Sequence, residues 1–75
     1  MDDKRVLAIV SLVAAVLNVP ETEIRLETSA DNFSSWDSLA QLRICMAFEE
    51  RFGVELGMEA IAQATSVAKL AALIP

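Results

Sequence analysis

The sequence predicts an all-α fold, a small four-helix bundle, and three observations lead to it. First, 55% of the 75 residues are apolar and only two are glycine and two proline, which is typical of compact helices. Second, apolar residues recur at helical spacing in several segments, whereas alternation with a period of two is nowhere sustained. Third, helix-capping residues stand at the boundaries of these segments. A chain of this length predicts one domain, residues 1–75, near the lower limit for a self-sufficient core.

The first helix is predicted from about Lys4 to Leu17, with Asn18 as its C-cap. Pro20 prevents its continuation because proline lacks the N–H group that a helix needs. Its apolar residues recur at helical spacing: Val6, Ile9, Val10, Val13 and Leu17.

A long polar loop follows, from about Val19 to Trp36. We expect its apolar residues Ile24, Leu26 and Phe33 to hold it against the core. A loop of this length in so small a domain is uncommon and usually functional.

The second helix is predicted from Ser38 to about Phe52, with Gly53 ending it. A short third helix is predicted over Met58–Ala62. A fourth helix, capped by Thr65 or Ser66, is predicted to run to Ile74.

Charge and cysteine content exclude several classes of function. A net charge of −5 without a Lys/Arg cluster argues against a nucleic-acid partner and favours basic protein partners. The lone Cys45 cannot form an internal disulfide, and it lies on the predicted inner face, where we expect a packed thiol. The chain has no histidine and one cysteine, so we predict none of the metal sites that are commonly built from these two residue types.

The apolar run from Val6 to Leu17 has some features of a signal peptide, but it is too short to span a bilayer. Asp2 and Asp3 balance Lys4 and Arg5, and no small-residue cleavage site follows. We therefore expect a cytoplasmic, monomeric protein with no membrane partner, and the Met1 start favours a free-standing chain.

The segment Trp36-Asp37-Ser38-Leu39 places a serine at the start of the second helix. Asp37 is predicted to be the N-cap, accepting the N–H of Leu39 or Ala40, and the positive end of the helix dipole at Ser38 favours a phosphate. An Asp-Ser pair is also an ordinary helix start. A serine nucleophile needs a base, however, and the usual histidine is missing, so Ser38 is better suited to modification by another enzyme. Paired carboxylates flanking a pocket and a glycine-rich phosphate loop are missing too, which argues against an enzyme.

The second helix carries two apolar stripes. Its predicted core face contains Ile44, Cys45, Phe48 and Phe52. The opposite face, next to Ser38, carries a second stripe, which consists of Leu39, Leu42 and Met46. Rimmed by Arg43, Glu49 and Glu50, this stripe is typical of a partner-docking surface. The alternative is that both stripes are buried, in a wider bundle or a dimer.

Taken together, these segments resemble the acyl carrier protein family over nearly the whole chain. The resemblance includes Leu17-Asn18-Val19 followed by Ile24, the Asp37-Ser38-Leu39 attachment motif, the helix end Met46–Gly53, and the tail Glu55–Ile74. Asp-Ser-Leu is a weak motif alone, but this spacing on both sides makes the match strong.

The resemblance implies that a 4′-phosphopantetheine is attached to Ser38 by a separate Mg²⁺-dependent phosphopantetheinyl transferase that uses coenzyme A. The thiol of this arm would carry an acyl, ketide or aminoacyl group as a thioester, given by a loading enzyme and passed to downstream synthase or tailoring enzymes. The protein itself would catalyse nothing. The stripe Leu39, Leu42 and Met46 falls where family members contact their partners.

Two departures from the family pattern narrow the role. Carriers of bacterial fatty acid synthesis tend to have acidic residues at the positions of Ala40 and Arg43, whereas Glu49 and Glu50 place the acidic patch further along this helix. Arg43 would repel an enzyme whose basic patch expects an acid there. We therefore expect a carrier of polyketide or related natural-product biosynthesis; a fatty acid carrier and an aminoacyl or peptidyl carrier are alternatives.

Trp36 and the first helix leave further alternatives. Trp36 either fixes the loop onto the bundle or contacts the arm or its cargo. Val10, Ala15 and Val16 lie where the family match implies solvent, which predicts a second contact surface or self-association, mainly through the valines. A different class of function is an unmodified acidic helical adaptor that uses the Leu39/Leu42/Met46 stripe.

Overall fold

A computed structural model describes residues 3–75 and shows four α-helices: α1 (Lys4–Leu17), α2 (Ser38–Phe52), α3 (Met58–Gln63) and α4 (Val67–Ala72). The predicted all-α architecture, with a long α1–α2 loop and a short α3, is confirmed. Residues 3–75 contain no β-strand, only an isolated bridge between Ser29 and Ser66. None of these four helices combines the length and apolarity needed to cross a membrane.

Helix α1 is capped at both ends. Asp3, whose capping role the sequence analysis did not name, accepts the Arg5 N–H on Oδ1 at 2.9 Å and pairs with the Arg5 guanidinium at 3.3 Å. The Arg5 N–H and then its guanidinium hold the pKa of the Asp3 carboxyl below its usual value. At the other end, Asn18 adopts the left-handed conformation (φ 59°), which confirms the predicted C-cap. Asp2 lies outside the described residues.

The core is built by α1, α2, α4 and the loop. Its largest fully buried side chains are Trp36, Phe48, Ile9, Ile44, Leu70, Val13, Val67 and Cys45. None of the six residues of α3 is buried, so α3 lies at the edge of the bundle. This arrangement leaves one side of α2 in contact with the core and α3, and the other side in solvent.

The predicted core face of α2 is confirmed for Ile44, Cys45 and Phe48, which are at most 1% exposed. Phe52 is only half-buried and packs at the margin, with its ring centroid 4.8 Å from that of Phe48. Toward the C-terminal end, therefore, the core face meets solvent.

The expectation that Val10 and Val16 of α1 lie in solvent is wrong. Val10 and Val16 are half-buried and pack against the core, and only Ala15 is exposed. The core side of α1 is wider than predicted, since Leu12 and Ala14 are buried as well. Leu7 of α1 is 59% exposed, however, and self-association through this helix stays a prediction.

The loop is fixed to the bundle partly as predicted. Ile24 is buried and Phe33 half-buried against the core, but the prediction for Leu26 is wrong, because its side chain is 42% exposed. Backbone hydrogen bonds also attach the loop to the start of α4. The Ala30 N–H donates to the Thr65 carbonyl at 2.9 Å, and the Val67 N–H donates to the Thr28 carbonyl at 3.0 Å.

Thr28 is a polar anchor of the loop that the sequence analysis missed. It is only 6% exposed, and its Oγ1 accepts the Arg25 N–H at 2.8 Å. A 3₁₀ turn over Glu21–Glu23, directly after Pro20, was also not predicted. The 3₁₀ turn contacts α1, whereas the Thr28 carbonyl accepts the N–H of Val67 at the start of α4, so the loop is attached to both helices.

The predicted bounds of the last two helices need small corrections. Helix α3 extends one residue beyond Ala62, and α4 stops at Ala72, short of Ile74. The Leu73 and Ile74 N–H groups donate to carbonyls three residues back, as in a 3₁₀ turn, and Pro75 disfavours the α conformation for the residue before it. Of the two proposed caps, Ser66 is the one used, since its Oγ accepts the Lys69 N–H at 3.1 Å.

Candidate functional site

Ser38 is exposed and is the first residue of α2, as predicted. Asp37 is the N-cap: its Oδ1 accepts the Ala40 N–H at 2.9 Å, and its carbonyl accepts the Gln41 N–H at 2.8 Å. Gly53 ends the helix in the left-handed conformation (φ 65°). Ser38 therefore stands on a helix that is capped at both ends, which holds its hydroxyl in a fixed place while leaving it open to solvent.

The start of α2 suits a negatively charged group. The first-turn N–H groups of a helix have no intrahelical acceptor, and Asp37 takes only that of Ala40. The N–H groups of Ser38 and Leu39 remain for solvent or for an anion bound to the serine oxygen. Together with the helix dipole, they make this a favourable position for a phosphodiester. The residues present thus fit a phosphate-linked group on Ser38.

The predicted second stripe of α2 is exposed in the single chain. Leu39, Leu42 and Met46 are 58%, 51% and 66% exposed. Arg43 is also exposed, on the same side of α2. Ala40, in contrast, is 8% exposed and belongs to the core, so of the two departures from the family pattern only Arg43 alters the surface.

The two glutamates of the expected rim differ in their surroundings. Glu49 is half-buried, and its Oε2 accepts the Leu56 N–H at 2.8 Å, which holds the chain between α2 and α3. Glu50 is exposed and lines a groove between α2 and α1. Glu49 thus has a structural contact of its own, and Glu50 is the more accessible of the two carboxylates.

The Gln41 side chain, near Ser38, forms several buried hydrogen bonds that were not predicted from the sequence. Its Oε1 accepts the Trp36 indole N–H at 2.6 Å, and its Nε2 donates to the carbonyls of Ile61 (2.7 Å) and Ala64 (3.0 Å). This pattern fixes the orientation of the amide, because only its oxygen can accept from an indole and only its nitrogen can donate to carbonyls. We call these contacts of Gln41 with Trp36, Ile61 and Ala64 the Gln41 clasp.

The clasp joins three parts of the fold. Trp36 ends the long loop, Gln41 lies on α2 one turn after Ser38, and the two carbonyls lie in and just after α3. Trp36 is 2% and Gln41 8% exposed. A signal for it was present in the sequence, since Gln41 is a polar residue three and four positions before Ile44 and Cys45 on the core face.

A surface groove of about 430 Å³ adjoins Ser38, between α2, α3 and the loop. Trp36 and Gln41 line it next to Asp37 and Ser38, and its remaining wall consists of Ala30, Leu42, Ile61, Ala62 and Thr65. Trp36 is 2% exposed, which fits a role in fixing the loop to the bundle, and it also lines the groove. A compact ligand linked to Ser38 would find a mainly apolar surface there.

The Cys45 thiol is buried, as predicted, and burial, followed by the nearby Glu49 carboxylate, raises its pKa. A thiol held neutral in this way is a poor nucleophile. Among residues 3–75, no three Cys, Asp or Glu side chains are grouped so that they could hold a metal ion.

Comparison with protein families agrees with this geometry. The family model described as "Phosphopantetheine attachment site" matches residues 8–74, which includes all of α2 and the groove. Comparison with curated proteins gave no match.

Proposed function

Since the chain belongs to the phosphopantetheine attachment site family, whose members carry covalently bound 4′-phosphopantetheine, we propose that Ser38 is its attachment point. The observation that carries this proposal is the exposed Ser38 hydroxyl on the first residue of a capped helix, beside an exposed apolar stripe and a groove. In the modification, the Ser38 oxygen forms a bond to the phosphorus nearest the pantetheine in coenzyme A. Adenosine 3′,5′-bisphosphate leaves, and a base of the transferase takes the hydroxyl proton.

The chain's own residues have distinct roles in this proposal. Asp37 caps α2 and so fixes the serine, while the first-turn N–H groups face the new phosphodiester. Leu39, Leu42 and Met46 provide the apolar centre of a surface on which the transferase and later enzymes dock. The bound arm supplies the thiol on which cargo is carried.

Mass spectrometry tests the attachment directly. Incubation with coenzyme A and a promiscuous phosphopantetheinyl transferase should add about 340 Da to the intact protein. Ser38→Ala should abolish the gain, whereas Ser35→Ala, which removes a nearby exposed loop serine, should retain it. Persistent lack of a mass gain in the folded wild-type protein would instead favour the unmodified adaptor.

We propose further that the cargo belongs to polyketide or related natural-product biosynthesis. Arg43, exposed on the stripe side of α2 close to Ser38, supports this, because it presents positive charge where a basic enzyme surface would expect an acid. The fatty acid and aminoacyl alternatives differ from it in which loading enzyme accepts the protein.

Reversing the charge of Arg43 tests the pathway. Arg43→Glu should raise the rate of malonyl transfer by a fatty acid synthase transacylase by about tenfold, which corresponds to about 1.4 kcal/mol in the transition state. Arg25→Glu makes the same change on an exposed loop residue away from α2 and should leave the rate near that of the wild type. Equal rates for all three proteins would count against the pathway, though not against the attachment.

A further inference from the structure

Cargo bound through Ser38 either enters the bundle between α2 and α3 or stays at its surface. The Gln41 clasp joins these two helices beside Ser38. The groove beside Ser38 has Trp36 and Gln41 among its lining residues. Both side chains are nearly fully buried, so they form its inner wall and separate it from the core. On the core side, the Gln41 Nε2 lies 3.4 Å from the Sγ of Cys45, which is 1% exposed.

Passage of an alkyl chain between α2 and α3 would have to break the clasp. The Gln41 Nε2 is shared between the Ile61 and Ala64 carbonyls, and these contacts cross directly from one helix to the other. An alkyl chain has no donor or acceptor with which to replace them, so the amide, the indole N–H and the carbonyls would be left buried without partners. In the described part of the chain every buried side-chain nitrogen and oxygen now has a partner.

The groove outside the clasp, in contrast, accepts a small apolar group at no such cost. Ala30, Leu42 and Ile61 line it and are not side-chain partners in the clasp. A group of a few carbons can cover these surfaces while every clasp hydrogen bond remains formed. A longer chain lying along this open surface groove keeps one side exposed to solvent.

Building on the attachment proposed above, we propose that this protein carries compact acyl groups on its surface and that the Gln41 clasp keeps extended alkyl chains out of the bundle. The substrate class is therefore short acyl thioesters, which rest in the groove beside Ser38. The clasp acts as a positioning element: it holds α3 against α2 and closes the seam between them.

A chain-length series on the intact protein tests this inference. Acetyl, butyryl and octanoyl groups are loaded as acyl-phosphopantetheine from the corresponding acyl-coenzyme A, and thioester cleavage by hydroxylamine is timed for each. Each rate is divided by that of the free acyl-coenzyme A, which removes differences in intrinsic reactivity. The octanoyl group should be protected less than about threefold relative to acetyl; stronger protection would overturn the inference.

Fluorescence of Trp36 gives a second readout, since it is the only tryptophan and its N–H belongs to the clasp. The emission spectra of the acetyl and octanoyl forms should coincide. Because Trp36 also lines the groove, the decisive outcome is an octanoyl spectrum that matches that of Gln41→Ala, which would mean that the chain has opened the clasp and would also overturn the inference.

The two glutamines of the chain supply a matched pair of variants. Gln41→Ala removes the clasp and should let octanoyl gain protection of more than about threefold, whereas Gln63→Ala, on the outer side of α3, should behave as the wild type. If Gln41→Ala does not fold, Gln41→Met replaces it, because methionine has a similar length and cannot donate to the Ile61 and Ala64 carbonyls. Octanoyl that stays unprotected in the folded clasp variant would contradict the role given to Gln41.

This experiment separates the two proposals. No mass gain at Ser38 overturns the attachment, and the cargo inference with it, before any acyl groups are compared. A normal mass gain followed by a protected octanoyl group overturns the cargo inference alone.

Discussion

Helices α2 and α3 form the two walls of the groove beside Ser38, and they are held in very different ways. Helix α2 has 15 residues, a carboxylate cap at its start, a left-handed glycine at its end and five buried residues. Helix α3 has six residues, no side-chain cap at Gly57 and no buried residue. Its polar attachment to α2 is the Gln41 clasp.

This difference assigns separate tasks to the two walls. The serine is mounted on the helix whose stability comes from the core, so its position does not depend on what lies in the groove. The opposite wall has no buried residue and depends on a few hydrogen bonds at one of its ends, so a single substitution can remove much of its attachment. The comparison therefore predicts that mutations in the two walls differ both in size and in how far their effects spread.

The largest contrast should come from removing one large apolar side chain from each helix. Phe48→Ala deletes a fully buried ring of α2 and should lower the free energy of unfolding by about 3–5 kcal/mol, much of the total stability of so small a domain. Met58→Ala, at an 88% exposed position of α3, should change it by less than about 0.5 kcal/mol. Urea unfolding followed by circular dichroism measures the free energy of unfolding of both variants. Similar losses would refute the view that the core holds α2 whereas the Gln41 clasp holds α3.

Breaking the clasp should have the next largest effect. Gln41→Ala leaves the Trp36 N–H and two carbonyls without their partner and should cost about 1–3 kcal/mol. Amide hydrogen exchange should accelerate most in α3, while the N–H groups at the centre of α2 change only with global stability. Gln63→Ala is the control and should alter neither; uniform acceleration over both helices would show that the clasp does not hold α3 specifically.

The same contrast explains how much of the molecule could be predicted from its sequence. The bounds of α2 were predictable because Asp37 and Gly53 act locally, on N–H and carbonyl groups within four residues. The outer stripe followed from periodicity alone. The attachment of α3 could not be predicted in this way, because Gln41 meets carbonyls 20 and 23 positions further along the chain.

The loop shows the same limit. Ile24 follows the rule that apolar residues are buried, but Leu26 is exposed while the nearby Thr28 is buried. Two hydrogen bonds hold Thr28 in its buried position: its Oγ1 accepts the Arg25 N–H, and its carbonyl accepts the N–H of Val67 at the start of α4. Neither is encoded by hydropathy, so a pattern of apolar residues cannot choose between the two positions. The candidate serine was found because its signal, a cap and an apolar stripe, is local.

Removing the cap of α2 should have a moderate effect. Asp37→Ala deprives the Ala40 N–H of its acceptor and should cost about 1 kcal/mol. Asp37→Asn retains an acceptor oxygen and should recover most of this loss. It therefore distinguishes the contribution of the capping hydrogen bond from that of the negative charge. Thermal unfolding measures stability, and the rate of phosphopantetheine transfer shows whether a frayed start of α2 presents Ser38 less well. Equal stability of Asp37→Ala and the wild type would mean that solvent caps α2 equally well.

The smallest effect should come from giving α3 the cap that it lacks. Gly57 has extended backbone angles (φ −70°, ψ 166°), and a Cβ atom there would have nothing within 4 Å. Gly57→Ser supplies an acceptor for the first turn and restricts the unfolded chain, so we expect a gain of about 0.5 kcal/mol. Gly57→Ala restricts the unfolded chain without adding an acceptor and should be less stable than Gly57→Ser, because alanine is a poor N-cap.

If the two walls differ as described, hydrogen exchange in Gly57→Ser should slow in α3 while the rate of labelling at Ser38 stays unchanged, because the serine is mounted on the other wall. A labelling rate that changed with the α3 cap would instead show that the transferase requires α3 to move, and the mounting of Ser38 on α2 would not be sufficient for its recognition.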